Sequence, residues 1–160
     1  MNAYSFFLHL HSGFRYLVLL LLLLAIIRAW ADWLGKKAYS EGNRKLNLFA
    51  MISVHTMLLI GIILYFLSPL VQFNSQTMKQ FDTRYWTMEH LVGMIIAIII
   101  ITLGHSKSKK AALPEAKHKA IAIYYTLALV IIIVMIVLSK RALLGMSWSV
   151  NFYRMSPKKV

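Results

Sequence analysis

The sequence predicts an all-α membrane protein, a bundle of four transmembrane helices in up-down-up-down order. Hydrophobic residues make up 59% of the 160 residues and charged residues only 14%, against about 25% charged in a soluble domain. Four apolar runs reach the length of about 20 residues that a membrane-spanning helix needs. The runs are rich in Leu and Ile without alternating polar residues, which favours helices over a β-barrel.

The predicted helices form a single integral membrane domain that covers 1–160, and they lie at about 6–27, 48–67, 88–105 and 118–139. Short connections favour antiparallel neighbours, which places the first and third helices on a diagonal of the bundle. Pro114 suits the first turn of the fourth helix.

The first apolar run resembles a signal peptide, because Ala29-Trp30-Ala31 follows it. However, the segment before the run carries only Arg15, and Arg28 stands directly before the apparent cleavage point. We therefore expect a first span that is retained.

Basic residues dominate the charge balance, with 18 Lys and Arg against 5 Asp and Glu and a net charge of +13. They cluster between the apolar runs, so anionic lipid head groups explain them better than nucleic acid, and no nucleic-acid partner is expected. The first and third connections are rich in Lys and Arg, whereas the middle one holds only Lys79 and Arg84. The positive-inside rule then places both termini outside the cytoplasm. The basic residues of the C-terminal tail argue for the opposite orientation, and they are Lys140, Arg141, Arg154, Lys158 and Lys159.

Several kinds of chemistry are excluded by composition. The chain contains no Cys, which excludes disulfides, Cys-ligated iron–sulfur clusters and covalent c-type haem. HExxH, GxSxG, Walker and GxGxxG motifs are all missing. None of the five acidic residues lies in the middle of a predicted span, although a proton pump or cation transporter usually buries a carboxylate there. A redox subunit is therefore favoured over a stand-alone enzyme.

Histidines are the candidate metal ligands. His11 in the first helix and His90 in the third lie at similar depth near one end of the bundle, on diagonal helices. Haem b takes two axial nitrogens on opposite faces of its ring, so these two residues are predicted to ligate one haem b. Arg15, one turn from His11, either pairs with a haem propionate or extends to the membrane surface. Gly13 and Gly93 are expected to make room for the macrocycle.

His55 lies well inside the second helix, where no other histidine matches its depth. Tyr124 and Tyr125 do match it, and a buried His–Tyr hydrogen bond is the favoured interpretation. The alternative is that His55 binds a second haem together with His105 or His118. His118, between Lys117 and Lys119, is otherwise expected to be solvated.

Three segments, HLHSGFRYLVLL, MEHLVGMI and LGHS, resemble small bacterial membrane proteins labelled cytochrome b-like. The resemblance covers the first three helices. It implies non-covalent haem b, a location in the bacterial cytoplasmic membrane, and electron exchange with quinones or other redox subunits. It points to His11, Arg15 and His90, and less directly to His55 and His105.

Two other functions remain open from the sequence. The chain could be a cofactor-free structural or assembly subunit of a larger respiratory complex, or a small transporter. A reduced-minus-oxidised spectrum of the purified protein separates the cytochrome from both.

Overall fold

The computed structural model describes residues 2–139 as four long helices joined by short connections. Each helix is long and apolar enough to cross a membrane, which confirms the predicted four-helix membrane fold. The helices are α1 (Ala3–Leu34), α2 (Glu41–Leu67), α3 (Phe81–Lys110) and α4 (Pro114–Leu138). The part of the predicted single domain beyond Ser139 lies outside the described residues, and so do the five basic residues of the tail, Lys140, Arg141, Arg154, Lys158 and Lys159.

Local polar residues determine where the helices begin. The side chain of Asn2 accepts a hydrogen bond from the backbone N–H of Ser5, and the side chain of Ser40 accepts one from Asn43. Pro114 occupies the first turn of α4, as expected. With 32 residues, α1 is about 48 Å long and exceeds the about 30 Å of a hydrocarbon core. The helices are therefore longer than the apolar runs that predict them.

The order of the helices around the bundle places α1 and α3 on a diagonal. Helix α1 packs against α2 and α4, while α3 packs mainly against α4 and less extensively against α2. This confirms the predicted diagonal. Of the four neighbouring pairs of helices, α2 and α3 pack least closely against each other.

Small residues let the helices approach closely at the centre of the bundle. Ala25, Ala50, Ala97 and Ala128, one from each helix, are fully buried. Large apolar side chains cover the outer surface, where lipid replaces water as their surroundings. Together these features make the chain an integral membrane protein.

The two ends of the bundle differ. We call the end that carries the connections 35–40 and 111–113 the basic end, and the opposite end the cavity end. At the basic end, the carboxylate of Asp32 is only 2% exposed. It accepts hydrogen bonds from Arg28 Nε and Asn43 Nδ2, each at 2.7 Å. Asp32 therefore connects α1 to α2 through a buried hydrogen bond at the basic end.

His118 belongs to this packed end, and the expectation that it is solvated is wrong. Its side chain is 1% exposed. Nδ1 of His118 lies 3.5 Å from Asn43 Nδ2, and the ring lies 5.0 Å from that of Tyr39. Burial follows because the first turns of α4 pack against α1 and the start of α2, which the local sequence does not reveal.

Candidate functional site: two facing histidines in a cavity

Two histidine rings face each other near the cavity end. The ring centroids of His11 on α1 and His90 on α3 are 6.4 Å apart, with their planes at 73°. His11 follows Ala3 by eight residues and His90 follows Phe81 by nine, so both lie about 12–14 Å from the start of their helices. The structure therefore brings together the two histidines that the sequence pairs by depth.

These histidines line a cavity to which all four helices contribute. The cavity has a volume of about 160 Å³. Most of the lining is apolar, and the polar side chains that converge on it include His11, Ser12, Arg15, Tyr65, Tyr85 and His90.

Tyr85 fixes the protonation of His90. Its hydroxyl donates to the backbone carbonyl of Met135 on α4 and lies 3.3 Å from Nδ1 of His90. Because the hydroxyl has one proton and gives it to Met135, it accepts from Nδ1–H of His90. The neutral ring then carries its lone pair on Nε2, the arrangement of a histidine that ligates a metal.

A π-helical turn places Tyr85 in this position. Tyr85–Glu89 forms the π-helical part of α3, directly before His90. Such turns occur mostly as single bulges inside α-helices, frequently at functional sites. The side chain of Tyr85 is 1% exposed and so is held rigidly. This role of Tyr85 is not predicted, because neither the turn geometry nor the partner on α4 is visible in the local sequence.

The glycine next to His11 is Gly61 on α2. A Cβ added to Gly61 would lie 3.1 Å from Cε1 of His11. A Cβ on Gly13 would meet nothing within 4 Å, and one on Gly93 would meet Met135 at 2.7 Å. Gly93 accommodates Met135, Gly13 faces open space, and neither glycine lines the cavity, whereas Gly61 does and makes room for His11.

Arg15 lines the same cavity one turn from His11. One of its terminal nitrogens donates to the hydroxyl of Tyr16 at 3.3 Å, and the guanidinium lies 5.1 Å from the centre of that ring. Nε of Arg15 is buried and makes no hydrogen bond to any described residue. The cavity therefore contains a cation with capacity to bind an anionic group.

His55 is not bonded to either tyrosine, so the favoured His–Tyr hydrogen bond is wrong. Nδ1 of His55 bonds the carbonyl of Met51 at 2.9 Å, and its other nitrogen faces Thr102 on α3. The hydroxyl of Tyr125 donates instead to the carbonyl of Asn47 at 2.9 Å, and Tyr124 bonds Lys107. Helix rotation explains the difference, since equal depth does not make two side chains face each other.

The remaining histidines lie away from the cavity. His9 is exposed, and its Nδ1 bonds the carbonyl of Ser5 at 2.6 Å. His118 contacts Tyr39 and Asn43 at the basic end, while His55 lies against Thr102. His105 does not line the cavity either, and its Nδ1 is buried without a hydrogen bond to any described residue. The structure thus brings His55 into contact with none of His105, His118 and the His11/His90 pair.

The fold and the cavity define the class of this protein: a four-helix integral membrane protein with a histidine-lined cavity in one half of the bundle. Comparison with protein-family models, with characterised proteins and with solved structures finds no match.

Proposed function

We propose that the protein is a membrane cytochrome that holds one haem b between His11 and His90 and serves in electron transfer. The distance between the two rings carries this proposal. A ligating imidazole nitrogen lies about 2 Å from its metal and about 1 Å from its own ring centroid, so two imidazoles on opposite sides of one iron have centroids about 6 Å apart. The observed separation is 6.4 Å.

The chemistry of the donor set also supports haem over a bare metal ion. Within residues 2–139, no group of three or more His, Cys, Asp or Glu side chains is placed to hold a metal ion. Two histidines alone leave most of a metal's coordination positions empty, whereas a porphyrin supplies four nitrogens of its own. A pair of facing histidines in an apolar cavity matches that need.

Each cavity residue has a defined role in this proposal. Tyr85 keeps the proton of His90 on Nδ1 and so directs the lone pair of Nε2 towards the iron. Gly61 leaves room for the ring of His11. Arg15 supplies a positive charge for a propionate, which would satisfy its buried Nε. Bound haem b would provide a one-electron couple, and two histidine ligands would leave no position for oxygen.

The proposed partners are a quinone or another redox subunit of the bacterial cytoplasmic membrane. Most of the described residues belong to the four long helices, and the longest connection between them is 68–80. An electron carrier of this shape exchanges electrons with molecules that reach it within or at the surface of the bilayer.

Substitution of either histidine tests the proposal. His11→Ala and His90→Ala should each convert a low-spin, six-coordinate haem into a high-spin or lost haem, because each removes one axial ligand. Absorption and electron paramagnetic resonance spectra of the purified variants measure this. His9→Ala is the matched control, since His9 is exposed and lies outside the cavity lining. If both variants keep the low-spin spectrum of the wild type, the assignment of His11 and His90 as the axial ligands fails.

A further inference from the structure

His55 is a polar residue within the apolar run of α2. It lies seven residues after Leu48, where that run begins, or about 10 Å along the helix axis. Together with Thr102 it lines a groove between α2 and α3, the side of the bundle where packing is loosest. The other lining residues are all apolar, and they are Leu58, Ile95, Ile98, Ile99 and Leu103. Polar groups at this depth are costly in hydrocarbon unless they have a partner.

Hydrogen bonds fix which nitrogen of His55 carries the proton. Nδ1 lies 2.9 Å from the carbonyl oxygen of Met51, and two acceptors would repel at that distance. Nδ1 therefore donates to Met51, and the neutral ring has a lone pair on Nε2.

Thr102 cannot supply the proton that Nε2 accepts. Its Oγ donates its single hydrogen to the carbonyl of Ile98 at 2.8 Å. The same Oγ lies 3.4 Å from Nε2 of His55, too long for a good O–H···N hydrogen bond. The groove therefore has two acceptors side by side, the Nε2 lone pair and a lone pair of the hydroxyl. A single O–H from an external donor, placed between the two acceptors and shared by them as a three-centre hydrogen bond, would satisfy both.

We propose that the groove between α2 and α3 binds the hydroxyl group of an apolar, membrane-dissolved phenol or hydroquinone, with His55 Nε2 and Thr102 Oγ as the acceptors. The two acceptors call for a ligand that donates a hydrogen bond. The apolar lining of the groove, which opens to lipid, accommodates a hydrocarbon tail. An oxidised quinone, an ester or an ether has no O–H to donate and is disfavoured at this position.

The groove is separate from the cavity but adjoins it. Leu58 and Ile98 line both spaces, so one layer of side chains lies between them. Binding in the groove requires no haem. If the proposed function holds as well, a hydroquinone at His55 would lie next to the cofactor cavity.

A pair of probes that differ only in the donor tests the site. 4-Decylphenol and its methyl ether, 4-decylanisole, are titrated into the full chain in lipid nanodiscs. The nitrogen resonance of His55 Nε2, in protein labelled with ¹⁵N-histidine, reports binding. We expect a saturable shift with the phenol and none with the ether. Equal shifts with both probes, or no saturable shift with the phenol, would overturn the proposal.

Matched threonine variants test the second acceptor. Thr102→Val keeps the side-chain shape and should weaken phenol binding about tenfold, the effect of one hydrogen bond. Thr56→Val is the control, because Thr56 makes the same kind of bond to its own helix, to Ile52 at 3.0 Å, and lies outside the groove lining. Equal weakening in the two variants contradicts the proposal. Haem content is measured on the same samples. Phenol binding by a protein without haem supports the groove site and contradicts the proposed cytochrome. Bound haem without phenol binding supports the cytochrome and contradicts the groove site.

Discussion

The position of the His11 ring depends on a single missing side chain. Gly61 lies against this ring, and a Cβ there would be 3.1 Å from Cε1 and 3.5 Å from Nδ1 of His11. The first distance is shorter than an ordinary van der Waals contact, so the ring would have to move by a few tenths of an ångström. A ring that is bound to iron has little freedom to do so.

Gly61→Ala should therefore weaken haem retention. We expect about a tenfold loss of affinity, the lower range found when groups that orient a metal ligand are changed. Titration of the haem-free protein with hemin measures it. Gly13→Ala is the control, because a Cβ there meets nothing within 4 Å, and its affinity should equal that of the wild type. Equal affinities for all three proteins would contradict the packing of Gly61 on a ligated His11.

Individual residues differ in how far the sequence predicts them. His11 and His90 could be paired because counting residues along antiparallel helices gives depth. Gly61, Tyr85 and Thr102 could not be assigned their contacts, because each depends on how far one helix is rotated relative to its neighbour. The same limit explains why His55 was paired with the wrong residues: Tyr124 and Tyr125 share its depth but point elsewhere.

Between elements, Asp32 is the main polar connection at the basic end. Its buried carboxylate bonds Arg28 within α1 and Asn43 on α2, and Lys37 Nζ lies 3.6 Å away. Arg28 and Lys37 are mostly exposed and can turn to water, whereas Asn43 is 3% exposed and cannot. Loss of the carboxylate would therefore cost most at Asn43.

Asp32→Ala should destabilise the bundle by about 1–3 kcal/mol, because a buried amide donor loses its acceptor. A lower midpoint of thermal unfolding in detergent, followed by circular dichroism, measures this. Glu41→Ala is the matched control, since it removes an exposed carboxylate paired with Arg44 at the same end, and it should change the midpoint much less. Similar midpoints for the two variants would show that Asp32 does not connect the helices as described.

At the level of elements, apolar runs predicted the number and order of the helices but not their full lengths. Hydropathy detects the part of a helix that lies in lipid, and α2 begins at Glu41 because Ser40 caps it in a polar segment. The π-helical turn before His90 was also not predicted, since five residues of ordinary composition give no signal for a wider turn.

Over the whole molecule, charge and cavity lie at opposite ends. The basic end carries the Lys-rich connections and the well-packed polar cluster around Asp32, and the cavity end carries His11 and His90. The positive-inside rule predicts that the basic end faces the cytoplasm. The haem site would then lie nearer the outer face of the membrane.

Cysteine labelling tests this orientation in a chain that has no cysteine of its own. Ser75 lies in the middle connection and Ala112 lies in the connection 111–113 at the basic end, and both residues are exposed. With a membrane-impermeant maleimide added outside intact cells, Ser75→Cys should be labelled and Ala112→Cys should be labelled only after lysis. Ser108, near the same end, is unsuitable as a labelling site because it is only 2% exposed. Labelling of Ala112→Cys from outside, with Ser75→Cys protected, would reverse the orientation.

The haem content of the purified wild-type protein tests the central claim most directly. Two facing histidines, the apolar cavity that they line and a nearby arginine together predict about one non-covalent haem b per chain with a low-spin spectrum. A pyridine haemochrome assay on monodisperse protein, expressed with adequate haem supply, gives the ratio. A value near one, with the reduced spectrum of a six-coordinate b-type haem, is the predicted result. A folded, monodisperse protein that contains no haem and binds none on titration with hemin would contradict the account.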